Sequence, residues 1–290
     1  MIDVSASLGL PLALPVSSEF ASNSEALNLI NCSSAWAAGH FGKGVTVAIL
    51  DAGIAPHPLI SGKVIGSFDA IVGDGTFSYD PGYHPDHALG VASIVSGCHS
   101  VASAERLIAG VAPEAKLLNI RCTGNARYSD SEVMRRGILW AVSAGAKVII
   151  IPVNGPDNFV APLVMDALSH AKNNGVVSII IGGNFHTWGG TAYALAAKHR
   201  LGLAVGNYDV KGGCPFPESN VPGEILFPWV MANSSGVFPT YKMTAEQFDN
   251  GGSSFAGPYV AGLAALIFEK HPTASPDEVV DRITSGARLL

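Results

Sequence analysis

The sequence predicts an α/β fold of three layers, with helices packed on both faces of a mostly parallel central sheet. Three observations predict it. Apolar residues fill 48% of the 290 positions and charged residues only 14%, the balance expected where strands are covered on both sides. Short, unbroken, β-branched apolar runs recur along the chain. Between them lie helix-like segments and short turns, the alternation that sets successive strands parallel.

Residues 1–32 carry no strong period and are expected to form an N-terminal arm on a single domain spanning 33–290. The apolar stretch from Leu8 to Val16 is broken by Pro11 and Pro15 and preceded by Asp3 rather than a basic residue, unlike a signal peptide. Ser33 to Gly44 is a turn-rich entry. Val45 to Leu50 reads as a buried strand that stops at Asp51-Ala52-Gly53. Ser67 to Pro85 reads as loop. Asp86 to Gly97 then reads as a small-residue helix with His87 in its first turn and Gly97 as its stop.

Gly110-Val111-Ala112-Pro113 leads into a strand from Lys116 to Arg121, and Ser129 with Glu132 predicts a capping box for a helix running to about Ser143. Val148 to Ile151 is a fully apolar strand ending in Pro152-Val153-Asn154-Gly155. A helix over Pro162–Lys172 follows, then a strand over Val176–Ile181 that stops at Gly182-Gly183-Asn184, and another over Leu201–Val205. Residues 206–250 read as loop-rich. Gly251-Gly252-Ser253-Ser254 opens an apolar helix carrying Val260, Leu263, Leu266 and Ile267, and Ser275-Pro276-Asp277-Glu278 opens the last one.

Composition excludes some functions. A net charge of -6 argues against a nucleic-acid partner. No apolar run reaches the ~18 residues of a membrane span. Cys32, Cys98, Cys122 and Cys214 are scattered without metal-ligand spacing and are expected to be reduced, with two disulfides in a secreted protein as the alternative. His84 lies three residues before His87, but no third ligand accompanies them, and no metal site is expected.

Asp51, His87 and Ser254 all fall at the ends of elements that could face one edge of one sheet. Acyl transfer by serine needs these three types. The hydroxyl is a poor nucleophile until a neutral imidazole takes its proton, and the imidazole needs a carboxylate to hold its tautomer and stabilise its cation. Helix N-termini favour developing negative charge, which suits Ser254. Asn184 at a strand end, with the Ser254 main-chain N–H, supplies donors for an oxyanion.

With these flanks, the order Asp, His, Asn, Ser resembles that of the subtilisin-like serine proteases. Val47-Ala48-Ile49-Leu50-Asp51-Ala52-Gly53-Ile54 resembles the family's Asp block and His87 to Gly97 its His block. Gly183-Asn184 resembles the oxyanion asparagine, and Gly252-Ser253-Ser254-Phe255-Ala256-Gly257-Pro258 the Gly-Thr-Ser-Met-Ala-x-Pro serine block. The resemblance runs from about Ser33 to the C-terminus. It implies a subtilisin-like fold, a serine endopeptidase and catalytic roles for Asp51, His87, Asn184 and Ser254. It also implies an extended peptide or protein substrate lying between Arg121–Tyr128 and Pro152–Gly155, which makes Arg121, Tyr128, Pro152, Val153, Asn154 and Gly155 the candidate substrate-binding residues.

The sequence departs from the family in three places. Ala88-Leu89-Gly90 stands where Gly-Thr-His follows the histidine, Ala52 removes a common hydroxyl beside the Asp, and Pro152-Val153-Asn154-Gly155 replaces Ser-Leu-Gly-Gly. A narrower cleft or a special substrate is the expectation. Phe255 and Val91-Ala92-Ser93-Ile94 are similar to subtilases that trim or cyclise ribosomal peptide natural products, so a dedicated maturation protease or macrocyclase is one alternative and a non-catalytic peptide-binding fold another. No cofactor is expected. Family members often bind calcium through loop oxygens, but no compact acidic loop stands here. The roughly 32 residues before the match are fewer than a signal and a pro-domain need, and suggest a cytoplasmic protein, with secretion the alternative.

Overall fold

The apolar runs form the centre of a sheet whose strands over Thr46–Asp51, Val148–Ile151 and Val177–Ile181 are buried on both faces. In the computed structural model, the residues described are 1–17, 21, 23–75, 85–97, 108–124, 129–154, 162–188, 190–209, 212–223, 227–234, 236–239, 245–248 and 252–288. In chain order the elements are α1 (Val4–Leu8), α2 (Ser24–Leu29), α3 (Ser33–Ala37), β1 (Thr46–Asp51), β2 (Val64–Asp69), α4 (Pro85–Ser96), β3 (Lys116–Arg121) and α5 (Ser131–Ser143). There follow β4 (Val148–Ile151), α6 (Pro162–Asn173), β5 (Val177–Ile181), β6 (Leu203–Asp209), β7 (Cys214–Pro215), β8 (Trp229–Asn233), β9 (Gly236–Pro239), β10 (Ala245–Phe248), α7 (Ser253–Lys270) and α8 (Pro276–Ser285).

The period of two along a strand divides the core. Val47 and Ile49 of β1, with Val148 and Ile150 of β4, pack on the side of α4, α7 and α8. Ala48 and Leu50, with Ile149 and Ile151, pack on the side of α5 and α6. All eight side chains are fully buried. The main sheet runs β2-β3-β1-β4-β5-β6-β7, with β8 also paired to β6. Its one antiparallel pairing among the described strands is β6 with β7. The chain leaves β3 on one side of β1 and re-enters the sheet at β4 on the other. That reversal is where open parallel sheets place a crevice at the carboxyl ends of their strands, and Asp51 ends β1 there.

The α/β architecture with a mostly parallel central sheet and helices on both faces, expected from the sequence, is the one observed. Several elements differ from expectation. The helix over residues 131–143 is capped by Asp130, whose Oδ1 accepts from the Glu132 and Val133 amides. Ser129 is already committed, donating to the Cys122 carbonyl at 2.8 Å. β2 occupies residues read as loop. β6 starts at Leu203 because the Leu201 amide closes the preceding turn onto Ala196. Within 206–250, β8 adds a parallel strand that was not expected. In the first thirty residues, α1 and α2 are too short to show a period. Ile2, Val4, Leu8, Leu27 and Ile30 are nevertheless buried in the same core as α7.

Candidate active site

Asp51 sits at the end of a strand with its side chain 3% exposed. Its main-chain carbonyl accepts from the Cys122 amide at 2.7 Å, and its Oδ1 accepts from the Ala52 amide at 2.6 Å. The backbone thus takes the place of the hydroxyl that Ala52 lacks. Oδ2 lies 2.7 Å from Nδ1 of His87, which comes from the first turn of α4. A carboxylate only accepts, so Nδ1 carries the proton and Nε2 keeps the lone pair. Burial pulls the His87 pKa down, but the Asp51 charge and hydrogen bond outweigh it and hold His87 above the ordinary imidazole value.

The two adjacent serines at the start of α7 are unlike each other. Ser253 is fully buried, and its Oγ accepts from the Gly183 amide at 3.1 Å. Ser254 is half-buried, and its hydroxyl donates to the Pro152 carbonyl at 3.0 Å. The ring of Phe255, next in sequence, lies 5.3 Å from the His87 ring between centroids. So α7 brings Ser254 to the end of β4 and sets Phe255 against the imidazole.

Gly90 explains the altered histidine block. A Cβ built there would come within 2.7 Å of Phe255 Cε1. Where the family resemblance expects a large imidazole, this chain has a glycine, and Phe255 fills the space from the other helix. The two departures compensate for each other.

Asn184 Oδ1 accepts from the Ser253 amide at 2.7 Å and from Asn207 Nδ2 at 3.0 Å. The oxygen end is therefore occupied, and Nδ2 is the end available to a substrate. Nδ2 lies beside Gly252, where a Cβ would meet it at 2.7 Å and where φ is 65°. The loop after Asn184 is pinned by Asn220, whose Oδ1 accepts from the amides of Phe185 and Thr187. Asn207 and Asn220 were not foreseen as site residues. Their signal is a polar amide inside an otherwise apolar or buried stretch, as at Val205-Gly206-Asn207.

The substrate-binding candidates divide. Pro152, Val153 and Asn154 follow β4, with Pro152 hydrogen-bonded to Ser254, Val153 buried and Asn154 half-buried. Arg121 ends β3 next to Asp51 in register, but its guanidinium pairs with the buried Asp69 at 2.7 Å. Tyr128 and Gly155 lie outside the described residues, as do His84 and Cys98. Among the described residues, Cys32, Cys122 and Cys214 are free thiols, and no group of three or more potential ligands could hold a metal.

A mostly parallel sheet covered on both sides, with an acid–imidazole pair at the end of β1 and a serine at the start of a helix hydrogen-bonded at the end of β4, is an arrangement found in serine hydrolases. The chain belongs to the subtilase family, whose model matches residues 42–289. It is 30% identical to subtilisin DY of Bacillus licheniformis over 265 residues, 90% of each chain. Its fold is similar to that of a protease from Pseudoalteromonas arctica (TM-score 0.74, 23% identity, 94% and 93% of the two chains). It is also similar to that of the prenylagaramide maturation protease PagA (TM-score 0.69, 22% identity, 86% and 84%). The protein is a subtilisin-like serine endopeptidase, a hydrolase of peptide bonds.

Proposed function

We propose that Ser254 is the nucleophile, His87 the general base, Asp51 the group that orients His87, and Asn184 with the Ser254 main-chain N–H the oxyanion site. The observation that carries this is the 2.7 Å bond from His87 Nδ1 to the buried Asp51, which leaves Nε2 basic. In this mechanism the Ser254 hydroxyl exchanges its bond to the Pro152 carbonyl for one to Nε2. Nε2 takes the proton as Oγ attacks the peptide carbonyl, and Asp51 stabilises the imidazolium. The carbonyl oxygen gains charge against Asn184 Nδ2, a donor worth roughly 3–4 kcal/mol in the transition state. Nε2 then gives its proton to the departing amine, and water repeats the sequence on the acyl-enzyme. A fluorophosphonate probe tests this. It should label the unaltered protein, lose its target in Ser254→Ala and keep it in Ser253→Ala. Folded protein that takes no label would sink the assignment.

A restricted, maturation-type substrate is supported by the end of β4. Pro152 has no N–H to pair with a bound strand, its carbonyl already accepts from Ser254, and Asn154 sets a side chain where the family resemblance expects glycine. A substrate held by fewer main-chain bonds depends more on its own side chains. The likeness to a prenylagaramide maturation protease agrees with this reading. Digestion of a randomised peptide library, followed by mass spectrometry, should give one narrow consensus around the cut. Broad cleavage would rule out restriction.

A further inference from the structure

We propose that Asn207 is a positioning residue for the oxyanion asparagine. The inference rests on the site assignment above and goes beyond it. The Ser253 main-chain N–H can only donate, and it meets Asn184 at 2.7 Å. That end of the Asn184 amide is therefore the oxygen. Asn207 meets the same oxygen at 3.0 Å, so the Asn207 end pointing there must be its NH2. No choice of amide flip remains.

The carbonyl oxygen of Asn184 is thus gripped by two donors from two different elements, α7 and β6. With both lone-pair directions taken, the amide plane is fixed, and Nδ2 is held beside Gly252 at the entrance to α7. Asn207 is itself held rigidly. It is 2% exposed, pairs with Ala232 in the β6–β8 ladder, and its amide donates to Ser219 Oγ at 2.9 Å. Its main-chain carbonyl accepts from the Phe216 amide at 3.3 Å.

The other end of the Asn207 side chain is the second observation. Among the described residues, its Oδ1 is buried without a hydrogen-bond partner. A residue present only for stability would not leave a carbonyl oxygen unpaired in a core, where an apolar side chain of similar shape fits at lower cost. Asn207 is retained here for its donor. A positioned oxyanion donor matters in the transition state more than in substrate binding, so loss of Asn207 should lower kcat and spare KM.

The experiment places Asn207→Asp and Asn207→Ala in two backgrounds, the unaltered chain and Asn184→Ala. The readout is the rate of Ser254 phosphonylation by a fluorophosphonate, with a thermal melt of each variant. Asn207→Asp keeps the shape but sets a carboxylate oxygen against the Asn184 oxygen. In the unaltered background it should slow labelling about 30-fold, and Asn207→Ala about 10-fold. In the Asn184→Ala background both should change the rate by less than about two-fold, because the group they act through is gone. Equal slowing in both backgrounds, or no slowing in the unaltered one, overturns the proposal alone. Absence of labelling in the folded, unaltered protein overturns the site assignment and this proposal with it. If Asn207→Asp does not fold, the Asn207→Ala pair decides by the same comparison.

Discussion

Gly90 and Phe255 face each other so closely that a methyl group on Gly90 would lie 2.7 Å from Phe255 Cε1. The contact joins the helix that carries His87 to the helix that carries Ser254, and the His87 ring lies against the same phenyl group. Gly90→Ala should overpack this joint and destabilise the protein by about 1–3 kcal/mol. Phe255→Met in the same chain should recover most of that loss. A urea-unfolding double-mutant cycle measures it, and additive costs would show that the two positions do not share the space.

The His87 pKa predicts the pH profile. In the proposed mechanism neutral Nε2 is the working form, and Asp51 holds His87 above the ordinary ~6.5. Activity should therefore rise with pH through that raised value. Asp51→Asn removes the charge, burial then dominates, and the acid limb should move to lower pH while the plateau falls about 10⁴-fold. The same raised pKa adds stability that is fully present below ~6.5 and lost as pH rises through the folded value. The gap in urea midpoint between the unaltered protein and His87→Gln should narrow over that window.

Gly252 takes a left-handed φ of 65° beside the Asn184 amide. With ψ at 165° its backbone lies in a region that essentially only glycine adopts, so Gly252→Ala should cost about 1–3 kcal/mol in strain and push Nδ2 out of place. Steady-state kinetics should show kcat down about tenfold or more with little change in KM. A rise in KM with kcat unchanged would place Gly252 in substrate binding instead.

Arg121 was expected at the substrate, and the structure gives it a different partner. Asp69 is 1% exposed. Its Oδ1 accepts from the Ile71 and Val72 amides, and Arg121 takes its Oδ2. Arg121→Ala would strand a buried charge and should destabilise by about 3 kcal/mol. If the ion pair is its main task, kcat/KM on a peptide substrate should stay within about two-fold. A large change in cleavage preference would return Arg121 to the cleft.

Much of the fold was legible because it is local. The strands ending at Asp51, Arg121, Ile151 and Ile181 announce themselves as apolar runs, and the Ser275–Glu278 capping box formed as expected. β2 and β8 were illegible. β2 is only partly buried and mixes Gly, Ser and Asp, and β8 is a strand only because β6 offers it an edge. The cap of α5 moved by one residue because Ser129 had a tertiary acceptor in Cys122 that no local pattern reveals.

The site divides along the same line. Residue order alone determined which acid, imidazole, asparagine and serine to consider, because each is tied to the end of a recognisable strand or helix. Only the folded chain decided that Ser253 is buried while Ser254 is half-buried, that Asn184 commits its oxygen to Ser253 and Asn207, and that Arg121 pairs with Asp69. Those outcomes rest on hydrogen bonds and ion pairs between residues tens of positions apart or more, such as the 36 between Asp51 and His87. Such contacts have no period and no spacing, so they exist only once the sheet has brought their partners together.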